Sequence, residues 1–293
     1  MEVYKVYEKV CGVVIVFYHP NDENINSAKK LSELYKVTIV DNSEKDINYF
    51  IPKAHIIKLN RNVGIAAALN IGINFFIEND YKYVILLDQD SEPDTLLLSS
   101  LINYSERCTD DVCLVAPSYY DRAIDKNAEF ILCTDKGIIR QPAIGKNAIE
   151  ASYVITSGSV LRLSSVSNIG LMNDDLFIDF VDIEWCLRAN SLGYKILGLP
   201  WLKMSHEIGD KPINIFNKKY VNHSPIRHYY YFRNIFLLMR MSHIHPQWKK
   251  WELIKLLPRF FVYACFTKNN MKHISYMLTG IYDGLLGRVG KKK

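Results

Sequence analysis

GIAAALNIGINFFIENDYKYVILLDQDS, residues 64–91, decides the fold. Ala66, Leu69, Ile73 and Phe76 recur three and four residues apart, the spacing of a helix with one apolar face, and this predicts a helix over 64–77. After a polar link, residues 83–87 are continuously apolar, too short for a helix and without the alternation of a half-solvated strand. They read as a strand buried on both faces, which implies a parallel sheet. The strand stops in Asp88-Gln89-Asp90-Ser91. Helix, buried strand and polar strand end form the repeating unit of an α/β layer.

Working toward the N-terminus, residues 13–17 form a second such run, ending at His19-Pro20. Asp22 is placed to cap a helix reaching about Leu34. Strands follow at 37–40, ending in Asp41-Asn42-Ser43, and at 56–59. The order over the first ninety residues is that of a doubly wound α/β fold, whose ligands sit beyond the carboxyl ends of the strands. Asp41 and Asp88 both fall at such ends. Toward the C-terminus, 112–116 reads as a strand, and 121–149 as an antiparallel excursion or a mobile loop. Order returns at 153–162, followed by a helix at 182–192 and a strand at 194–199 leading to Ser205-His206. From about His223 the pattern is helical, with no internal repeat.

The chain has 293 residues, 49% hydrophobic and 23% charged, which excludes disordered and fibrous classes. Its charge is divided unevenly. Residues 1–210 hold 20 Lys and Arg against 29 Asp and Glu, whereas 211–293 hold 16 against 2. The C-terminal part therefore suits an anionic partner, or is simply a solvated basic face. Cys11, Cys108, Cys113, Cys133, Cys186 and Cys265 are scattered among apolar residues, as in a reducing compartment. The opening MEVYKVYEKV lacks the order of a signal peptide, and the run at 260–266 is far shorter than the ~20 residues that span a bilayer. These features predict a cytoplasmic protein that touches a membrane only peripherally.

Asp88 and Asp90, on alternate positions after a buried strand, can present two carboxylates to one divalent cation, whose natural partner is a diphosphate. An acidic turn is the plain alternative. The same apolar-run-plus-DxD pattern occurs in haloacid dehalogenase-like phosphatases, with the first Asp as nucleophile, but there it closes the first strand of the fold and here three strands precede it. A sugar nucleotidyltransferase would need a Gly-rich basic loop where this chain has FYHPND. No GxGxxG or Walker sequence is present.

Eight strings occur in order: VVIVFYHP (13–20), VDNS (40–43), NRNVGIAAALNIG (60–72), ILLDQDS (85–91), TSGSVL (156–161), FIDFVDIEWCLRANSLGYKI (177–196), MSHEIGD (204–210) and SPIRHYYYFRN (224–234). Together they resemble family 2 glycosyltransferases, in particular the bacterial rhamnosyltransferase branch, over residues 11 to about 240. The resemblance implies a GT-A fold, an α/β Rossmann-like doubly wound mixed sheet with a basic helical C-terminal extension. It implies a catalytic domain over 1–215, with a nucleotide-binding half at about 11–116 and an acceptor half at about 117–215, and a basic helical region over 216–293.

By the same resemblance Asp41 meets the pyrimidine base, and Asn62 and Gly64 form the turn and helix start beside the nucleotide. Gly64 would offer free N–H groups to a phosphate. Asp88 and Asp90 match the metal and ribose-diphosphate motif, with His206 completing a Mg²⁺ or Mn²⁺ shell in which an imidazole favours Mn²⁺. Asp182 matches the catalytic base of an inverting transfer. The chain departs from the pattern at Val181, where relatives commonly carry Glu, so Asp179 or Glu184 is a candidate second carboxylate and Trp185 a further acceptor contact. Plainer readings stand beside these. Asp41 can be a turn former, His206 an ordinary loop residue, Asp182 a helix cap, and Glu184 the partner of Arg188 one turn on. The implied donor is dTDP-β-L-rhamnose, or another dTDP-, UDP- or GDP-sugar. The implied acceptor is a lipid-linked surface polysaccharide such as O-antigen or capsule. A silent nucleotide-sugar-binding or membrane-scaffold protein is the reading from a different class.

Beyond the resemblance, Trp248, Trp251, Ile254, Leu257, Phe261 and Cys265 recur at helical spacing with Lys249, Lys250, Lys255 and Arg259 between them, and Pro258 predicts a kink or split. This pattern suits an interfacial helix on anionic lipid at the inner face of a cell membrane. It equally suits a stripe packed on the catalytic domain or on a second copy in a homo-oligomer. Nucleic acid is disfavoured, since no recognition motif accompanies the charge.

Overall fold

In the computed structural model, which describes residues 10–45, 47–121, 126–206, 210–215 and 218–293, β1 (Cys11–Phe17) is buried along its whole length. Val13, Ile15 and Phe17 join one core, while Val14 and Val16 join another on the opposite face. The two-residue period of a strand, with apolar side chains on both sides, produces this division. β2 (Lys36–Asp41) and β4 (Tyr83–Asp88) flank β1 in parallel, and β3 (His55–Lys58) continues the sheet beyond β2.

One face is covered by α1 (Asp22–Ser32) and α3 (Thr95–Arg107), and the other by α2 (Ile65–Glu78), α4 (Leu163–Ile169) and α5 (Val181–Ser191). In α2 the expected stripe of Ala66, Leu69, Ile73 and Phe76 is buried. Leu69, Ile73 and Phe76 each contribute roughly 1.5–3 kcal/mol through that burial. α1 is capped by Asn21 and not by Asp22. Asn21 accepts from the Asn24 N–H at 2.9 Å, and Asn24 accepts from the Asn21 N–H at 3.0 Å, a reciprocal box that leaves Asp22 in the first turn.

β10 (Ser159–Arg162) runs antiparallel between β4 and β5 (Val112–Asp121), and β11 (Lys195–His206) is parallel to β5. β9 (Ile149–Ala151) closes the far edge antiparallel to β11, and β6 (Lys126–Asn127) pairs with β5. The main sheet thus reads β3-β2-β1-β4-β10-β5-β11-β9 and is mixed. The stretch 121–149 holds antiparallel structure, chiefly the hairpin of β7 (Glu129–Thr134) and β8 (Gly137–Pro142). A second hairpin, β12 (Asp210–Ile215) with β13 (Lys218–Asn222), precedes the helices.

Those helices are α6 (Pro225–Arg240), α7 (Pro246–Phe266) and α8 (Asn270–Leu285). α8 lies against α6 so closely that a Cβ at Gly280 would sit 2.4 Å from the Tyr229 carbonyl oxygen. α7 continues through Pro258 as one helix, so of the expected kink or split the split does not occur. Its Trp248 is fully buried and meets Phe180 edge-on at 5.7 Å, while Ile254, Leu257, Phe261 and Cys265 face outward. The stripe seen in the sequence is therefore divided between packing and exposure. No helix among the described residues is long and apolar enough to cross a membrane.

Candidate active site

The sheet reverses its strand order at β1, since β2 lies on one side and β4 on the other, and a crevice opens where their carboxyl ends diverge. Phe17 pairs with Asp41 and Val16 with Asp88, so the two acids flank the end of β1. The turn after β4 is held from several directions. The Ser91 N–H donates to the Asp88 carbonyl at 3.1 Å, and the Asp88 N–H to Ser157 Oγ at 3.3 Å. Ser157 also pairs with Ser91. Gln89 Oε1 accepts from the Tyr18 N–H at 2.7 Å, and its carbonyl from Asn24 at 3.0 Å. The turn is thereby fixed with Asp88 half-buried and Asp90 exposed.

Two hard oxygen donors on one rigid turn fit Mg²⁺ or Mn²⁺, and leave ligand positions for diphosphate oxygens and water. Among the described residues no group of three acidic, imidazole or thiol side chains converges as a complete shell. His206 ends β11 opposite Asp121, and its side chain lies outside the described residues.

Asp41 is buried and engaged. Its Oδ1 accepts from the Ser43 N–H at 3.0 Å and its Oδ2 from Tyr49 Oη at 3.0 Å. The turn-forming reading of Asp-Asn-Ser is realised, and each oxygen retains a further lone pair. Asn62 Oδ1 accepts from the Gly64 N–H at 2.9 Å and from Asn42 Nδ2 at 3.2 Å. The expectation of free N–H groups at Gly64 is corrected here, because the next N–H, of Ile65, donates to the Phe177 carbonyl at 2.8 Å. Gly64 is required for packing. Its φ is +90°, and a Cβ there would lie 2.6 Å from that same carbonyl oxygen.

Residues 177–180 lie against the start of α2, where the Phe177 carbonyl receives the Ile65 N–H. Phe177, Asp179 and Phe180 all have φ between 64° and 66°, a strained sequence of conformations for non-glycine residues. α6 holds the segment in this shape. Asn234 Nδ2 lies 2.8–3.0 Å from the carbonyl oxygens of Leu176, Ile178 and Asp179. The buried Arg233 donates to the carbonyls of Asp175, Leu176 and Gly290. Arg227 grips the Asp179 carboxylate with Nε and a terminal nitrogen at 2.5–3.1 Å. The string SPIRHYYYFRN carried these three residues, but their roles depend on where α6 lies.

Asp182 sits in the first turn of α5, directly after the strained segment, with Oδ1 accepting from the Ile183 N–H at 2.8 Å. Burial lifts its pKa, the Ile183 hydrogen bond opposes this, and the charges of Asp88 and Asp179 add to the rise. The result is a pKa of about 6. Asp182 therefore belongs electrostatically with Asp88, and Arg227 lies in the field of Asp88, Asp179 and Asp182.

The acceptor-contact expectations for Glu184 and Trp185 are corrected, whereas Asp179 is paired with Arg227. Glu184 is 1% exposed and locked between Arg188 at 3.0 Å and His243 Nε2 at 2.7 Å, so the helical-pair reading holds. Trp185 is equally buried, its indole N–H donating to the Gly170 carbonyl at 2.8 Å. Successive helical positions point in different directions, so Glu184 and Trp185 turn into the core while Asp182 stays half-buried within the field of Asp88.

A crevice at the strand-order switch, a DxD turn beside it and a carboxylate whose pKa is raised in part by the charge of Asp88 suit a GT-A glycosyltransferase architecture. Residues 20–166 match the family described as Glycosyl transferase family 2. The chain belongs to that family, and it is a glycosyltransferase. It is 33% identical to dTDP-rhamnosyl transferase RfbF of Shigella flexneri, over 94% of this chain and 96% of the relative. Among solved structures, TarS of S. aureus superposes with a TM-score of 0.55 at 12% identity, covering 94% of this chain and 80% of the other. GalNAc-T7, crystallised with UDP, GalNAc and Mn²⁺, superposes at 0.54 and 13% identity over 94% of this chain, which spans 58% of that one. At such identities the structures show the shared fold. The phosphatase reading is not favoured by these findings.

Proposed function

We propose that the protein is an inverting rhamnosyltransferase that takes L-rhamnose from dTDP-β-L-rhamnose and places it on a hydroxyl of a lipid-linked surface glycan. The donor assignment is supported by the extent of the match to a dTDP-rhamnosyl transferase, which runs nearly end to end in both chains. The observation that carries the catalytic part is Asp182, a half-buried carboxylate in the first turn of α5 that lies within the field of Asp88 and has its pKa raised to about 6.

In this reading Asp41 contacts the base and the Asn62–Gly64 turn shapes the nucleotide side of the crevice. Asp88 and Asp90, with His206, would hold Mg²⁺ or Mn²⁺. Such an ion, when bound, neutralises charge on the departing diphosphate. Asp182 takes the proton from the acceptor hydroxyl as the new oxygen–C1 bond forms and the bond from C1 to the diphosphate oxygen breaks. A base with a pKa of about 6 is largely ionised at neutral pH, yet holds a proton better than an ordinary aspartate. Arg227, fixed by Asp179, supplies positive charge at the same crevice. No enzyme nucleophile is needed.

The acceptor's lipid part suggests why α7 and α8 expose Ile254, Leu257, Phe261, Met271, Leu278 and Leu285, with Lys250, Lys268, Lys272 and Arg288 in the same helices and the turn after them. Apolar side chains among cations favour an anionic bilayer surface, and hence peripheral attachment on the cytoplasmic side. The test is nucleotide release from dTDP-rhamnose, UDP-glucose and GDP-mannose, each with Mn²⁺ or EDTA, in the presence of lipid-linked glycan. Release from dTDP-rhamnose alone, abolished by EDTA, is expected. Equal release from all three refutes the donor assignment.

A further inference from the structure

A cavity of about 290 Å³ lies where the β7–β8 hairpin faces α7, and its chemistry differs from that of the nucleotide crevice. Tyr119, Tyr153 and Trp251 line it with aromatic surface, and Asn127, Arg140 and Lys255 with hydrogen-bonding groups. The Trp251 ring is held by Arg140, 5.5 Å from its centroid, and by Lys255 at 5.4 Å. Both cations are paired, Arg140 with Glu129 at 3.3 Å and Lys255 with Glu252. Both lining cations are thus already engaged, with Glu252 shared by Arg259 at 3.0 Å, which disfavours a phosphate and suits a neutral ligand rich in hydroxyl groups. Aromatic faces beside fixed polar groups match the alternating apolar and polar surfaces of a pyranose ring. The volume lies near the lower end of the ~300–1,000 Å³ range of small-ligand sites, enough for one sugar unit.

Trp248, three residues before Trp251 on α7, meets Phe180 edge-on at 5.7 Å, and Phe180 lies two residues before Asp182, so the cavity adjoins the segment that carries the base. We propose that the cavity is an acceptor subsite, which holds a neutral pyranose unit of the glycan while a neighbouring unit offers its hydroxyl to Asp182. The inference rests on the glycosyltransferase reading and adds to it a role for α7. The helix that contributes Trp251 to the subsite also carries Ile254 and Leu257 outward, so a lipid-linked glycan arriving along α7 would meet the sugar site first.

The test uses the full chain and a panel of methyl pyranosides (glucoside, galactoside, rhamnoside, N-acetylglucosaminide), with glucose 1-phosphate as the charged control. Binding is read by saturation-transfer NMR, and dTDP binding with Mn²⁺ is measured in parallel by calorimetry. At least one methyl glycoside is expected to bind the wild-type protein. Trp251→Ala should weaken that binding tenfold or more and Trp251→Phe less, with dTDP affinity unchanged in both. Absence of glycoside binding to the wild type, glycoside binding unaffected by Trp251→Ala, or tighter binding of glucose 1-phosphate than of every neutral glycoside overturns the subsite. Failure of dTDP to bind the wild type would refute the glycosyltransferase reading itself, and the parallel measurement distinguishes the two.

Discussion

Replacing Asp182 with Asn should make the protein more stable and nearly inactive. A carboxyl moved from its ordinary value of 3.8 to about 6 carries an electrostatic penalty of up to about 3 kcal/mol at pH 7. Partial exposure reduces this, and loss of a negative charge in the first turn of α5 takes back roughly 0.3–1 kcal/mol. Asn keeps an oxygen for the Ile183 N–H, so a net gain of about 1–2 kcal/mol remains, seen as a melting temperature a few degrees higher. The pH dependence follows from the direction of the change. A raised carboxyl pKa means the folded state binds the proton more tightly, so the wild-type penalty is full above about pH 6 and disappears below about pH 4. The two melting curves should converge as pH falls through that window. Turnover should drop by about 10²–10⁴, the usual worth of a general base, while dTDP affinity changes less than tenfold. Wild-type turnover in Asp182→Asn, or a variant less stable than wild type at pH 7, would refute the assignment of both the base and its environment.

Asp90→Ala, on an exposed turn, should abolish transfer with an unchanged melting temperature, and Mn²⁺ should no longer tighten dTDP binding in calorimetry. Asn234→Ala removes the amide that bridges the carbonyls of Leu176, Ile178 and Asp179, and should cost about 2–4 kcal/mol in urea unfolding and lower turnover through the loosened 177–180 segment. In the wild type, turnover plotted against pH should rise through an inflection near 6, reflecting ionisation of Asp182, and Asp182→Asn should flatten it. Leu257→Glu with Phe261→Glu places charge on exposed positions, so it should weaken sedimentation with anionic liposomes at least fivefold while leaving dTDP binding intact. Undiminished liposome binding would remove the membrane role from this face.

Much of the nucleotide-binding half is legible in the sequence, because buried parallel strands and an apolar helical stripe declare themselves locally. The runs at 13–17, 37–40 and 83–87 and the stripe of 64–77 all reappear as elements. α3 carries an equally local signal, with buried Leu97, Leu98, Leu101 and Ile102 behind an Asp94 cap. The Glu184–Arg188 pair is readable from spacing, but its burial depends on His243, 59 residues away. The left-handed conformations at 177, 179 and 180 have no signal in FIDF, since none of these residues is glycine. They exist because Arg233 and Asn234 bind the carbonyls that such a turn exposes. Trp248 and Ile254 share one spacing pattern, and only the position of Phe180 determines that the first packs inward.

The attachment of residues 175–179 to Arg227, Arg233, Asn234 and Gly290 has a consequence for biosynthesis. The β-strands that carry Asp41 and Asp88 leave the ribosome early and can pair at once, since β1, β2 and β4 are contained in the first ninety residues. The turn leading into Asp182 is not fixed until α6 has emerged, and the Arg233 to Gly290 contact closes only after residue 290 has emerged as well. Domains generally assemble from the N-terminus during translation. A nascent chain will therefore pair the strands that carry Asp41 and Asp88 well before Asp182 is positioned, so under the proposed mechanism donor binding precedes the capacity to transfer.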